Sequence, residues 1–185
     1  MTHIGHNNGP TLEQGYGFRR YAWTKARHDL LPTLPLPVVR RRVKRAQEIG
    51  LDYKTYATVR ATTGRDVVAL LFSTKALRVF KSRIELPPDR KQKLIGIQAC
   101  ALHGLAVAPV AATQIKFDVL DAAFDAPSVH ANWTESATVM AQARGTTPPD
   151  AVLLIGDTST ERDWSMAGRL AGYLTAQRFF GDATL

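Results

Sequence analysis

The stretch from Leu36 to Arg83 sets the terms for the rest of the chain. It begins Leu36-Pro37-Val38-Val39-Arg40-Arg41-Arg42-Val43-Lys44-Arg45 and continues through Lys54, Arg60 and Arg65 to an apolar run that ends in Lys75, Arg78 and Lys81. The spacing predicts three consecutive amphipathic helices bearing dense positive charge. Pro37 suits the first turn of a helix, where a missing N–H costs nothing. Val39, Val43, Ala46 and Gly50 then share one face, and Arg41, Lys44 and Arg45 point the other way. Gly50 is a stop signal. Asp52 can cap a second helix from Tyr53 to about Thr62, which carries Tyr56 and Val59 inward and ends at Gly64.

The third segment, Val67 to Phe80, reads either way, because a short apolar run does not separate a buried strand from a buried helix. Asp66 as an N-cap, and the preference of Ala and Leu for helix, favour a helix over 66–82. Its polar arc would then hold Thr74, Lys75, Arg78 and Lys81. Two short helices joined by a glycine-containing turn, followed by a third with a polar face, form the outline of a helix-turn-helix.

Charge is unevenly distributed. Residues 18–83 carry 16 Lys and Arg against four Asp and Glu, whereas residues 84–185 carry 8 against 11, within a net charge of +8. Such asymmetry points to nucleic acid or an anionic surface. The far face of the 38–50 helix is small and aliphatic, with no Trp or Phe to insert, which disfavours a membrane. The expected reading is a non-catalytic nucleic-acid-binding protein, on DNA more than RNA. Arg40, Arg41, Lys44, Arg45, Lys54 and Arg60 would meet phosphates, and Thr74, Lys75, Arg78 and Lys81 would face a groove. Docking of this basic surface onto an acidic protein partner is the assembly alternative.

The remainder reads as mostly helical. Met1 to Gly17 has the composition of a flexible arm and Phe18 to Leu31 that of a helix. Pro87-Pro88 marks a boundary between a basic helical region (18–86) and a helix-rich region (87–185). Helices are expected over 89–105, 113–124 and 132–144. Ala151-Val152-Leu153-Leu154-Ile155 is the one clear strand, and Thr158 to Glu161 has the spacing of a capping box that opens a further helix. The fold class expected is therefore mostly α with a small β component. Cys100 is the only cysteine, so no disulfide and no cysteine zinc cage can form within the chain. No apolar run approaches the roughly 20 residues of a membrane-spanning helix. The expected location is the cytoplasm, and no cofactor is expected.

One turn suggests chemistry. A strand followed by Gly156-Asp157-Thr158-Ser159 and a helix is where open α/β sheets place ligands. Asp157 there would repel a bare phosphate unless a cation such as Mg²⁺ bridged them. The run Ile155-Gly156-Asp157, then Asp163, then Ala167-Gly168 resembles the last acidic motif of haloacid-dehalogenase-type phosphatases. That resemblance covers about Val152 to Leu174 and implies a Mg²⁺-dependent phosphoryl- or nucleotide-handling enzyme using Asp157 and Asp163. The family's Asp-x-Asp nucleophile motif does not occur in this chain, and the gap between the two acids is longer than the family's. Capping of the following helix accounts for Asp157, Thr158 and Glu161 equally well, with Asp163 favourable to its dipole. Neither G-x-G-x-x-G nor G-x-x-x-x-G-K-[ST] occurs.

Overall fold

A computed structural model describes residues 34–181. The chain divides into two compact units, residues 1–39 and 40–185, and the fold below is that of the second. The arm expected over 1–17 and the helix expected over 18–31 lie outside the described residues. In chain order the elements are α1 (Leu36–Glu48), α2 (Tyr53–Thr63), β1 (Ala69–Ser73), α3 (Pro88–Ile95), β2 (Ala101–Ala106), β3 (Ala122–Asp125), α4 (Trp133–Arg144), β4 (Val152–Gly156), α5 (Ser159–Ala167), β5 (Gly172–Thr175) and α6 (Ala176–Phe180).

Local signals explain several of these. The Asp52 carboxylate accepts the Thr55 N–H at 2.9 Å and also the Thr55 hydroxyl, which starts α2. Gly64 ends α2 at a φ of 72°, a conformation glycine adopts at little cost. Asn132 and Glu135 form a reciprocal capping box on α4, and Thr158 and Glu161 form one on α5.

The helix expected over 66–82 does not form. Residues 69–73 are the central strand of the sheet, and all five are buried. Alternate residues serve opposite faces. Leu70 and Phe72 join a core with Ala46, Ile49, Tyr56, Leu94 and Phe179, contributed by α1, α2, α3 and α6. Ala69 and Leu71 join Met140, Ala143 and Trp164 of α4 and α5. A strand covered on both faces reads as a continuous apolar run without period-two alternation, which is why its sequence resembles a helix. Asp66, expected as a cap, instead accepts from Arg45 and from the Tyr56 hydroxyl.

The mostly helical architecture is likewise replaced by an alternating α/β fold. Five parallel strands lie in the order β3-β2-β1-β4-β5. The helix expected over 89–105 stops at Ile95, and its second half is β2. The helix expected over 113–124 is a short 3₁₀ turn followed by β3. Gly104 explains one close approach in this region: a Cβ there would stand 2.9 Å from both Ile115 Cδ1 and Leu120 Cδ1, in the β2–β3 connection. The basic start of α3 also has a structural use. Arg90 is 1% exposed and stacks on Phe180 at 3.8 Å, and Lys93 lies 4.7 Å from the Phe179 ring.

This strand order is Rossmann-like. From β1 the chain steps outward to β2 and β3, then crosses back through α4 to β4 on the other side of β1. The connections leaving β1 and β4 therefore diverge, and the crevice outside their carboxyl ends is where such sheets hold ligands. Among the described residues no helix is long and apolar enough to cross a membrane.

Candidate functional site: a cleft at the carboxyl edge of the sheet

The first wall of this crevice follows β1. Ser73 is fully buried and its Oγ accepts the Ala76 N–H at 3.1 Å. Thr74 Oγ1 accepts the Val107 N–H at 3.0 Å, so the hydroxyl ties the β1 turn to the chain leaving β2. Backbone bonds from Leu77 to Ser73 and from Val79 to Thr74 close a tight turn anchored by buried Ala76 and Leu77. Phe80 and Arg83 then exchange two hydrogen bonds, 3.1 and 2.8 Å, across a two-residue tip of Lys81 and Ser82.

The second wall is Val107 to Val110, which contains a cis Ala108–Pro109 bond. The third is Asp157 after β4. Its N–H and that of Thr158 both donate to Glu161 Oε2, at 2.6 and 2.8 Å, and Glu161 is fully buried. Gly156 makes this junction possible: a Cβ there would lie 2.7 Å from Tyr173 Cε2 and 2.9 Å from Glu161 Oε2. The Asp157 side chain is left exposed on the cleft.

The walls enclose about 680 Å³. That falls within the roughly 300–1,000 Å³ of small-ligand pockets, which are mostly apolar with a few convergent polar groups. Here the apolar part is Val79, Phe80, Val107, Pro109 and Val110, and the polar groups are Lys75, Lys81, Ser82 and Asp157. Two ammonium groups against one carboxylate leave the cleft cationic.

The Ser73 and Thr74 hydroxyls are held as acceptors in the turn. Among the described residues no group of three or more His, Cys, Asp or Glu side chains can hold a metal ion. Asp163, exposed on α5, does not line the cleft, so the two acids read from the sequence do not meet there. Burial pushes the Cys100 thiol, which does not line the cleft, up to about 12. Tyr173 is also raised to about 12, first by burial and then by the Glu161 and Asp157 charges.

Of the residues expected to share one nucleic-acid face, Arg45 and Arg60 lie at the amino end of β1, and Thr74, Lys75, Arg78 and Lys81 follow its carboxyl end. Arg40, Arg41 and Lys44 are exposed on α1, and Lys54 is exposed on α2. Lys44 is 3.9 Å from Glu48. Arg45 is turned inward to Asp66 and the carbonyls of Val67 and Ala99, and Arg60 stands 4.0 Å from Asp66. These helices lead into the amino end of β1. Thr74, Lys75, Arg78 and Lys81 lie beyond its carboxyl end, five residues or about 16 Å further on. Thr74 is buried; Lys75 and Lys81 line the cleft; Arg78 is exposed at a φ of 55°.

Sequence reasoning missed Phe80, Ser82 and the Val107–Val110 wall. The signal that could have found them is the pair of apolar runs, six residues over 67–72 and five over 151–155, each followed by a dipeptide of small residues, Ser73-Thr74 and Gly156-Asp157. Two such junctions side by side define a switch point. Compared with known families, curated proteins and solved structures, the chain shows no significant match. Its class therefore rests on its architecture: a Rossmann-like α/β protein with a cationic, apolar-walled cleft at the carboxyl edge.

Proposed function

We propose that this chain is a non-catalytic nucleic-acid-binding protein whose ligand seat is the carboxyl-edge cleft rather than a helix laid in a groove. The observation that carries the reading is the convergence of Lys75 and Lys81 on one apolar-walled cavity. Ammonium groups take phosphate oxygens, and each contact releases condensed counterions. The wider excess of Lys and Arg over residues 18–83 draws polyanions toward the molecule at longer range. Among the side chains that line the cleft Asp157 is the one carboxylate, and it stands without a second acid or a histidine.

The test is oligonucleotide binding by the full chain, followed by fluorescence anisotropy across a salt series. Replacing both Lys75 and Lys81 with Ala is expected to weaken binding about tenfold at low salt. For a single strand it should also flatten the slope of log K against log salt by about 1.4, the contribution of two phosphate contacts. Binding indifferent to salt, or equal in the double variant, overturns the proposal.

A further inference from the structure

We infer that the nucleic acid taken by this cleft is single-stranded, with one unpaired base stacked on the Phe80 ring. The inference rests on the nucleic-acid reading above and narrows it. Phe80 is 50% exposed, whereas Val79 just before it is 1% exposed. Its backbone is pinned by the two hydrogen bonds to Arg83, so the hairpin presents the ring from a fixed position. Lys81, the next residue, sits at the hairpin tip, and Pro109 and Val110 supply apolar surface elsewhere in the cleft.

A flat apolar face beside ammonium groups is what an unpaired nucleotide needs. The base stacks while its phosphates meet the lysines, and stacking of this kind is worth roughly five- to a hundredfold in affinity per base. A duplex offers Phe80 nothing comparable, because its base faces are covered by their neighbours. Asp157 repels phosphate from its part of the cleft and can accept a hydrogen bond from a base N–H or a sugar hydroxyl. The backbone of the strand is thereby steered toward Lys75 and Lys81.

The experiment compares a single-stranded 12-mer, the matching duplex and an inorganic polyphosphate of similar charge on the full chain at about 0.1 M salt. Deoxyribo- and ribo-oligomers run in parallel show which sugar is taken. The expected result is single-strand binding at least tenfold tighter than either competitor. Phe80→Ala and Phe80→Leu should each weaken single-strand binding about tenfold without changing its salt slope, and Phe80→Trp should restore it. Leu keeps the apolar bulk and loses only the planar face, so the pair separates stacking from simple burial. If duplex or polyphosphate binds as tightly as the single strand, or if Phe80→Leu has no effect, the single-strand inference falls while salt-dependent, Lys75/Lys81-dependent binding keeps the broader reading. If no nucleic acid binds at low salt, both fall.

Discussion

The Arg45 guanidinium donates through Nε to Asp66 Oδ2 at 2.9 Å, and its Nη2 reaches the carbonyls of Val67 and Ala99 at 2.9 and 3.0 Å. One side chain of α1 thus ties together the segments that enter β1 and β2. In the sequence Arg45 is one of six consecutive residues of which five are basic, and nothing separates it from its neighbours. In the fold it is a clamp, and Tyr56 completes the same cluster by donating its hydroxyl to Asp66 Oδ1 at 2.9 Å.

Arg45→Ala is therefore expected to destabilise the fold by about 2 kcal/mol, below the 3–5 kcal/mol of a fully buried pair because Asp66 is partly exposed. Lys44→Ala, at an exposed i,i+4 pair, should cost under about 0.5 kcal/mol. Urea unfolding measures both. A double-mutant cycle with Asp66→Ala should give a coupling of about 1 kcal/mol or more.

Thr74→Val keeps the shape of the β1 turn and removes the acceptor for the Val107 N–H. The loss should be about 1–3 kcal/mol, the cost of leaving a buried donor unpaired. Because this bond joins two walls of the cleft, oligonucleotide affinity should fall as well, although Thr74 itself offers no charge. Thermal unfolding and anisotropy on the same sample test the two effects together.

Gly156→Ala would drive a Cβ into Tyr173 and Glu161. Overpacking of this kind costs about 1–3 kcal/mol. The Glu161 bonds to the Asp157 and Thr158 N–H groups would be displaced with it. Hydrogen exchange at those two amides should accelerate, while Gly64→Ala at the exposed end of α2 should leave them unchanged.

The pH dependence above neutrality has a defined sign. Cys100 and Tyr173 are both raised to about 12, chiefly by burial, from ordinary values of 9.0 and 10.0. The unfolded chain releases these protons first, so stability is fully present below about pH 9 and is lost as pH climbs toward 12. A thiol reagent at pH 8 should label Cys100 far more slowly in the native protein than in urea.

At low pH the sign reverses. The Asp52 carboxyl is held below its ordinary 3.8, first by the Thr55 hydroxyl and then by the Thr55 N–H. Its capping contribution is present above that value and fades as pH falls through the lower folded value. Asp52→Ala should cost about 1 kcal/mol at pH 7. The gap to the parent protein, followed by urea unfolding at several pH values, should narrow as pH falls below the ordinary 3.8.

What could be read along the chain is what neighbours in sequence decide among themselves. The Asp52 and Thr158 caps, the Gly50 and Gly64 stops and the helix after Asn132 all depend on groups within about four residues of one another, the reach of helical hydrogen bonds and capping side chains. The charge pattern was equally legible, and so was the Gly156-Asp157 turn between a strand and a capped helix. What could not be read is pairing across distance. Leu70 bonds into a ladder with Leu102 and Leu153, 32 and 83 residues away, and no local preference reports such partners. Ala101–Ala106 is built largely of Ala and Leu, good helix formers, yet it is a strand because β1 and β3 supply hydrogen bonds on both sides. The same pairing sends Arg45 and Lys75 to opposite ends of one strand and brings Lys75, Pro109 and Asp157 to one cleft. Parallel strands need partners delivered by long crossovers, so the site exists only once the whole sheet has assembled.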